Sequence, residues 1–140
     1  MHGRIVLVPV ILMLILSALA CESTGSTAGS HRACRSTVGS SQCEGGWKEL
    51  SGTVIENIEN DHISSFDTIP VEITVSVESG TVRVSCKDPD GETGSAQASP
   101  GSPATLSADC EGDFDELEVT FEALDGDATG VSYTINYQVP

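Results

Sequence analysis

The segment Val71-Glu72-Ile73-Thr74-Val75-Ser76-Val77-Glu78 decides the fold class, because apolar and polar residues alternate along its whole length. In an extended chain successive side chains point to opposite faces. Val71, Ile73, Val75 and Val77 therefore share one face, and Glu72, Thr74, Ser76 and Glu78 share the other. A helix would scatter the four β-branched residues around its circumference, where their stiff side chains are also less favourable. The pattern predicts a strand with one face on a core and one in water.

Reading outward from it, Ser79-Gly80 is a turn signal, and Val82, Val84 and Cys86 form the next inward set. Asp88-Pro89-Asp90-Gly91 is a strong turn, since proline presets one dihedral and glycine supplies a positive φ. The same alternation returns in Ala104/Leu106/Ala108/Cys110, in Leu117/Val119/Phe121/Ala123 and in Val131/Tyr133/Ile135/Tyr137/Val139. Weaker strands are expected around residues 50–55, 63–69 and 95–98, and Asp125-Gly126-Asp127 reads as a hairpin between the last two strands. No stretch holds an i, i+3, i+4 apolar stripe long enough for a helix. Residues 43–140 thus predict an all-β domain, an antiparallel β-sandwich of jelly-roll or immunoglobulin-like type with seven or eight strands.

The N-terminal end follows other rules. His2 and Arg4 precede an apolar run over residues 5–16, and Ser17-Ala18-Leu19-Ala20 supplies small residues just before Cys21. A run of about 7–15 apolar residues closed by a small-residue cleavage site is the pattern of an export signal, whereas a spanning helix needs about 20. Residues 1–20 are read as a signal peptide. Ala18-Leu19-Ala20 also suits ordinary signal peptidase, which would release a soluble protein. Residues 18–21 resemble the lipobox of bacterial lipoproteins, in which the cysteine is lipidated and becomes the new N-terminus. Ala18 stands where that family usually has leucine. The resemblance implies a lipid on Cys21, attachment to a membrane through it, and a location in the bacterial cell envelope on the extracytoplasmic side.

Residues 21–42 read as a linker: twelve of the 21 residues from 22 to 42 are Ser, Thr or Gly. Such a composition buries too little apolar surface to offset its ordering entropy. As a flexible coil it would span roughly 25 Å. It also carries a small basic island, His31, Arg32 and Arg35.

Five cysteines are present, and lipidation of Cys21 leaves Cys34, Cys43, Cys86 and Cys110, an even number suited to an oxidising compartment. Cys86 and Cys110 end strands that run the same way in a sandwich, on inward registers, so they are expected to pair. Closing that loop stabilises by roughly 3.5 kcal/mol in the chain-entropy model. Cys34–Cys43 is then the second disulfide, clipping the linker to the start of the domain.

The formal charge is −15, and loss of Arg4 with the leader makes it one unit more negative. That sign repels phosphate backbones, so nucleic acid is excluded as a partner. It also repels anionic headgroups and keeps an exported domain soluble. Asp88, Asp90 and Glu92 lie in one turn, Glu111, Asp113 and Asp115 in another, and strand parity places both turns at one end of the sandwich. Calcium takes six to eight oxygen ligands, so these six acids are the candidate metal ligands, although no helix-loop calcium pattern is present and turns use Asp and Gly for their own geometry. No other cofactor is required. Catalysis finds little to work with: His62 is the one histidine of the domain, in an Asn60-Asp61-His62 turn. Of six aromatic residues, Phe121, Tyr133 and Tyr137 fall on inward registers, and Trp47 is read as a core plug rather than a glycan platform.

Residues 80–84 and 88–91, the stretch 114–121, and Gly130-Val131-Ser132-Tyr133-Thr134-Ile135 resemble the pre-peptidase C-terminal type of bacterial β-sandwich. That resemblance implies a non-catalytic, jelly-roll-like module of secreted enzymes that sometimes holds calcium. No enzyme is attached here, and that family's acidic motif on the fourth strand is absent. The expectation is a non-enzymatic lipoprotein presenting an acidic binding or structural module to an envelope protein or glycan. The alternatives are a calcium-stabilised accessory module of a secreted hydrolase system and a small hydrolase using His62.

Overall fold

A computed structural model describes residues 25–91 and 93–140; the leader, Cys21 and Glu92 lie outside them. The chain forms nine strands: β1 (Ser26–Ala28), β2 (His31–Thr37), β3 (Ser40–Ser51), β4 (Thr53–Glu59), β5 (Thr68–Ser76), β6 (Ser79–Lys87), β7 (Thr93–Ala98), β8 (Ala104–Asp113) and β9 (Glu116–Tyr137). Every pairing is antiparallel. The all-β antiparallel sandwich expected from the alternation is the fold.

Its organiser is β9. The first part of this strand pairs with β4, from Thr53↔Glu122 to Glu59↔Glu116, and with β6, from Thr81↔Leu124 to Ser85↔Thr120. The second part pairs with β3, from Ser41↔Tyr137 to Leu50↔Ala128, and with β5, from Val71↔Tyr137 to Ser76↔Ser132. Two layers result. One is β4, the start of β9, β6 and β7; the other is β1 and β2, then β3, the end of β9, β5 and β8. β3 runs on into β4, and β5 into β6, so these strands cross between layers at one shared corner. Among the described residues, the connections at the far, open end include the turns at 60–67, 88–91 and 114–115 and the β2–β3 hairpin tip at 38–39.

The Asp-Gly-Asp segment is therefore a bend in a continuous strand and not the expected hairpin. Between the pairs Leu50↔Ala128 and Thr53↔Glu122, β9 spends residues 123–127 where its partner spends only 51 and 52. Positive φ at Asp125 (56°) and Gly126 (106°) takes up the excess. Such a bulge bends a strand instead of reversing it.

The composition-based linker is also corrected. From Ser26 to Thr37 the chain lies along β3 as an edge strand. All side chains of β1 and β2 are exposed, so no burial pattern marks them. Their order comes from the main-chain ladder, from the Cys34–Cys43 disulfide between directly opposed residues (Cα–Cα 4.1 Å), and from Arg32. The Arg32 guanidinium donates to Glu56 Oε2 at 2.8 Å and to the Asn57 carbonyl at 2.9 Å on β4, tying the edge of one layer to the other. The strand expected over 63–69 is a turn up to Asp67: the Ser64 N–H donates to Asp67 Oδ2 at 2.7 Å.

The expected inward residues of β5, β6, β8 and β9 meet between the layers, with Ile73, Val75, Val82, Val84, Phe121 and Ile135 fully buried. Trp47 is in this core as well. Its ring stands 5.1 Å from Phe121 and 5.2 Å from Tyr133, and those two are 4.8 Å apart, within the range of favourable offset and edge contacts. β3 can lie this close because Gly46 has no side chain: a Cβ there would sit 2.1 Å from the Val131 carbonyl oxygen. The second disulfide, Cys86–Cys110, joins β6 to β8 across the layers with a Cα–Cα distance of 5.7 Å. Both expected cysteine pairs are present.

Candidate functional site

The open end gathers most of the chemistry. The loop 60–67 and the β8–β9 hairpin are stitched together by main-chain bonds: Asn60 N–H to the Asp115 carbonyl (2.8 Å), Asp115 N–H to Ile63 (3.0 Å), Phe66 N–H to Gly112 (2.9 Å) and Gly112 N–H to Asp67 (2.8 Å). The Phe114 N–H donates to Ser65 Oγ at 3.3 Å. Ile63 plugs the core beneath. This platform holds Phe66 and Phe114 with 81% of each residue in water, and Val38, at the tip of the β2–β3 hairpin, is wholly exposed at the same end. They are the three large hydrophobic residues exposed among the described residues.

Phe66 has φ of 67°, and Asp115 has 63°. An aromatic residue in this left-handed region is an outlier costing about 1–2 kcal/mol. The loop holds it there through the Phe66–Gly112 and Asp67–Gly112 bonds.

Acids surround these residues. Asp61, Asp113 and Asp115 are exposed, and Asp67 and Glu116 are half-buried. On the adjacent β6–β7 turn, Asp88 Oδ1 accepts the Asp90 N–H at 2.7 Å and the Asp88 carbonyl accepts the Gly91 N–H at 2.9 Å. Lys87 Nζ bonds Glu111 Oε1 at 3.2 Å. A groove of about 870 Å³ runs between the hairpin tip at Val38-Gly39 and the turn Asn60-Asp61-His62. A second, of about 610 Å³, lies over the outer face of β3, β9 and β5, where Gln42 Nε2 donates to Asn136 Oδ1 at 2.9 Å between Arg35 and Glu72.

The two acidic turns do emerge at one end, as strand parity requires. They are not drawn into a cage: among the described residues no three His, Cys, Asp or Glu side chains come together to hold a metal ion. Asp88 is used by its own turn, Glu111 by Lys87, and Asp90, Asp113 and Asp115 stand in water; Glu92 is outside the described residues. His62 is exposed, with its own N–H on Asn60 Oδ1 at 3.0 Å, and among the described residues its ring bonds no serine or acid.

Tyr133 is a titratable group buried in the core, 3% exposed. The Tyr133 phenol lies under Gly45, where a Cβ would sit 2.5 Å from its oxygen. Burial, then the Glu56 carboxylate, raises its pKa well above the ordinary tyrosine value, with Arg32 opposing. This Tyr133–Glu56–Arg32 group closes the side of the sandwich.

Sequence reasoning missed Val38 and Phe66, and it named Phe114 only as the start of the stretch 114–121 that carries a family resemblance. A signal was there for Phe114: an aromatic between two aspartates, Asp113-Phe114-Asp115, suits neither register of a half-buried strand.

No family model matches the chain, and no curated protein matches it. Solved structures of similar course include oxalate decarboxylase from Bacillus subtilis, 13% identical over 84% of this chain and 28% of that chain, TM-score 0.41. Others are the recombinant pro-11S globulin of pumpkin (13%, 82% and 27%, TM-score 0.43) and procruciferin, an 11S globulin from Brassica napus (14%, 71% and 20%, TM-score 0.39). This chain spans less than a third of the length of each. Likeness at that level bears on no activity.

Proposed function

We propose that the protein is a lipid-anchored, non-enzymatic binding module of a bacterial cell envelope. The carrying observation is the cysteine pairing. Cys34–Cys43 and Cys86–Cys110 account for the four cysteines of the sandwich, and the fifth, Cys21, stands directly behind an export-type leader. Disulfides belong to oxidising compartments, which fits an exported chain.

The anchor is shorter than composition implied. Gly25 already lies at the corner, where its Cβ would meet the carbonyl oxygens of Ser51 and Thr53 at 2.5 Å. Cys21 is four residues earlier, so its lipid sits at most about 14 Å away along an extended chain. The corner then faces the bilayer. The open end, carrying Val38, Phe66 and Phe114, faces away from it, roughly 25 Å further out at about 3.3 Å per strand residue.

Replacing Cys21 by serine tests the anchor. Cell fractionation should move the protein from the membrane pellet to the soluble extracytoplasmic fraction. A Cys21→Ser chain that stays in the pellet refutes the proposal.

A further inference from the structure

We propose that the open end docks a cationic polypeptide segment bearing apolar side chains, with Val38, Phe66 and Phe114 as the apolar anchors. The inference deepens the binding-module reading above and is independent of the lipid.

Three observations meet here. Among the described residues, the exposed large hydrophobic side chains are confined to this one end, 81% or more in water. Aromatic side chains, phenylalanine among them, are enriched in the buried cores of protein interfaces, and strained residues such as Phe66 cluster at binding and functional sites, held there by their surroundings. The second observation is charge. Asp61, Asp67, Asp113, Asp115 and Glu116 ring the aromatic residues, with Asp88 and Asp90 beside them. Against these stand Lys87, already paired with Glu111, and Arg35, which lines the other groove on the outer face. The end is left with an uncompensated negative field, which attracts and orients a positive partner. Third, the groove of about 870 Å³ beside Val38, flanked by Glu59 and Asp61, offers a recess at the same end for a side chain of that partner.

The charge also decides between occupants. A second copy of this chain would bring the same acids against these, and an anionic bilayer would be repelled. A neutral glycan would stack on aromatic rings without using the carboxylates.

The test uses the Cys21→Ser chain, expressed with its leader and recovered from the extracytoplasmic fraction, with fluorescence anisotropy of a labelled amphipathic Lys/Leu peptide. Matched Glu/Leu and Lys/Ser peptides and a labelled neutral chitin oligosaccharide serve as comparisons. The Lys/Leu peptide should bind, the Lys/Ser peptide more weakly and the Glu/Leu peptide not at all. The triple variant V38S/F66N/F114S should weaken binding by about tenfold or more, the scale of losing interface anchors. D61N/D113N/D115N should weaken it and flatten its salt dependence, while the corner variant E78Q/D125N leaves it unchanged. Melting temperatures no lower than the parent's show that these exposed substitutions leave the fold intact. Triple-variant affinity within about twofold of the parent, below the anchor scale, overturns the proposal, as does an equal loss at the corner. So does preferential binding of the glycan. A chain that binds the peptide but is never lipidated fails the anchor reading and leaves this one standing.

Discussion

Removing the Cys86–Cys110 disulfide is the sharpest test of the layered architecture. The bond closes a separation of 24 residues. In the chain-entropy model a loop of that size contributes about 3.5 kcal/mol, by restricting the unfolded chain. Both cysteines lie in the core, 3% and 0% exposed, so Cys86→Ala/Cys110→Ala also leaves a small void. Against a total stability of about 5–15 kcal/mol this is a large fraction. At about 4 °C per kcal/mol for a domain of this size, the melting temperature should fall by roughly 14 °C or more. The Cys34–Cys43 bond spans only 9 residues, worth about 2.6 kcal/mol in the same model, and it ties down an edge strand that buries none of its side chains. Cys34→Ser should therefore loosen β2 locally, seen as faster amide exchange in residues 31–37, with a much smaller change in global melting. Circular dichroism melts and hydrogen exchange on the two variants measure this. Equal melting losses, or a Cys86/Cys110 variant within about 2 °C of the parent, a shift of under 1 kcal/mol, would refute the claim that this bond holds the layers together.

Other consequences follow from named residues. Phe66→Gly should raise stability in urea titrations by about 0.5–1 kcal/mol, because relief of the left-handed strain outweighs both the little burial lost and the added freedom of the unfolded chain; a loss instead would mean that the ring is held by packing. The Tyr133 phenol, its pKa raised by burial and by Glu56, contributes stability fully below the unfolded-state value near 10 and loses it as pH climbs beyond. Alkaline absorbance should show this tyrosine ionising only as the fold opens, and Tyr133→Phe should flatten the alkaline slope; ionisation near 10 in the intact fold contradicts it. Millimolar calcium should leave the melting temperature unchanged, since Asp88 and Glu111 are engaged and, among the described residues, Asp90, Asp113 and Asp115 join no cluster that could hold a metal ion. A rise abolished by D90N/D113N would favour the calcium reading instead.

What could be read from the chain was whatever left a trace in side-chain pattern. Alternation at Val71 to Val77 and at Val131 to Tyr137 marks half-buried strands because one face must be dry. Parity of inward positions was enough to pair Cys86 with Cys110. β1 and β2 left no such trace: their side chains are all in water, and the information that orders them is the unpaired edge of β3. The bend in β9 was misread for a related reason. Asp-Gly supplies a positive φ whether the strand reverses or merely bulges, and only the partners on both sides decide between the two. At the open end, acids in turns were legible as turns. The exposure of Phe66 was not, because it depends on the loop 60–67 being held to Gly112 and Asp115.

The central claim is that Cys21 delivers this sandwich to a membrane and holds it there by the corner. Mass spectrometry of the mature N-terminal peptide, taken from protein extracted from cells, tests it most directly. The account predicts a chain beginning at Cys21 whose mass includes a thioether-linked diacylglycerol. A mature chain beginning at an unmodified Cys21, or one that retains the leader, contradicts it.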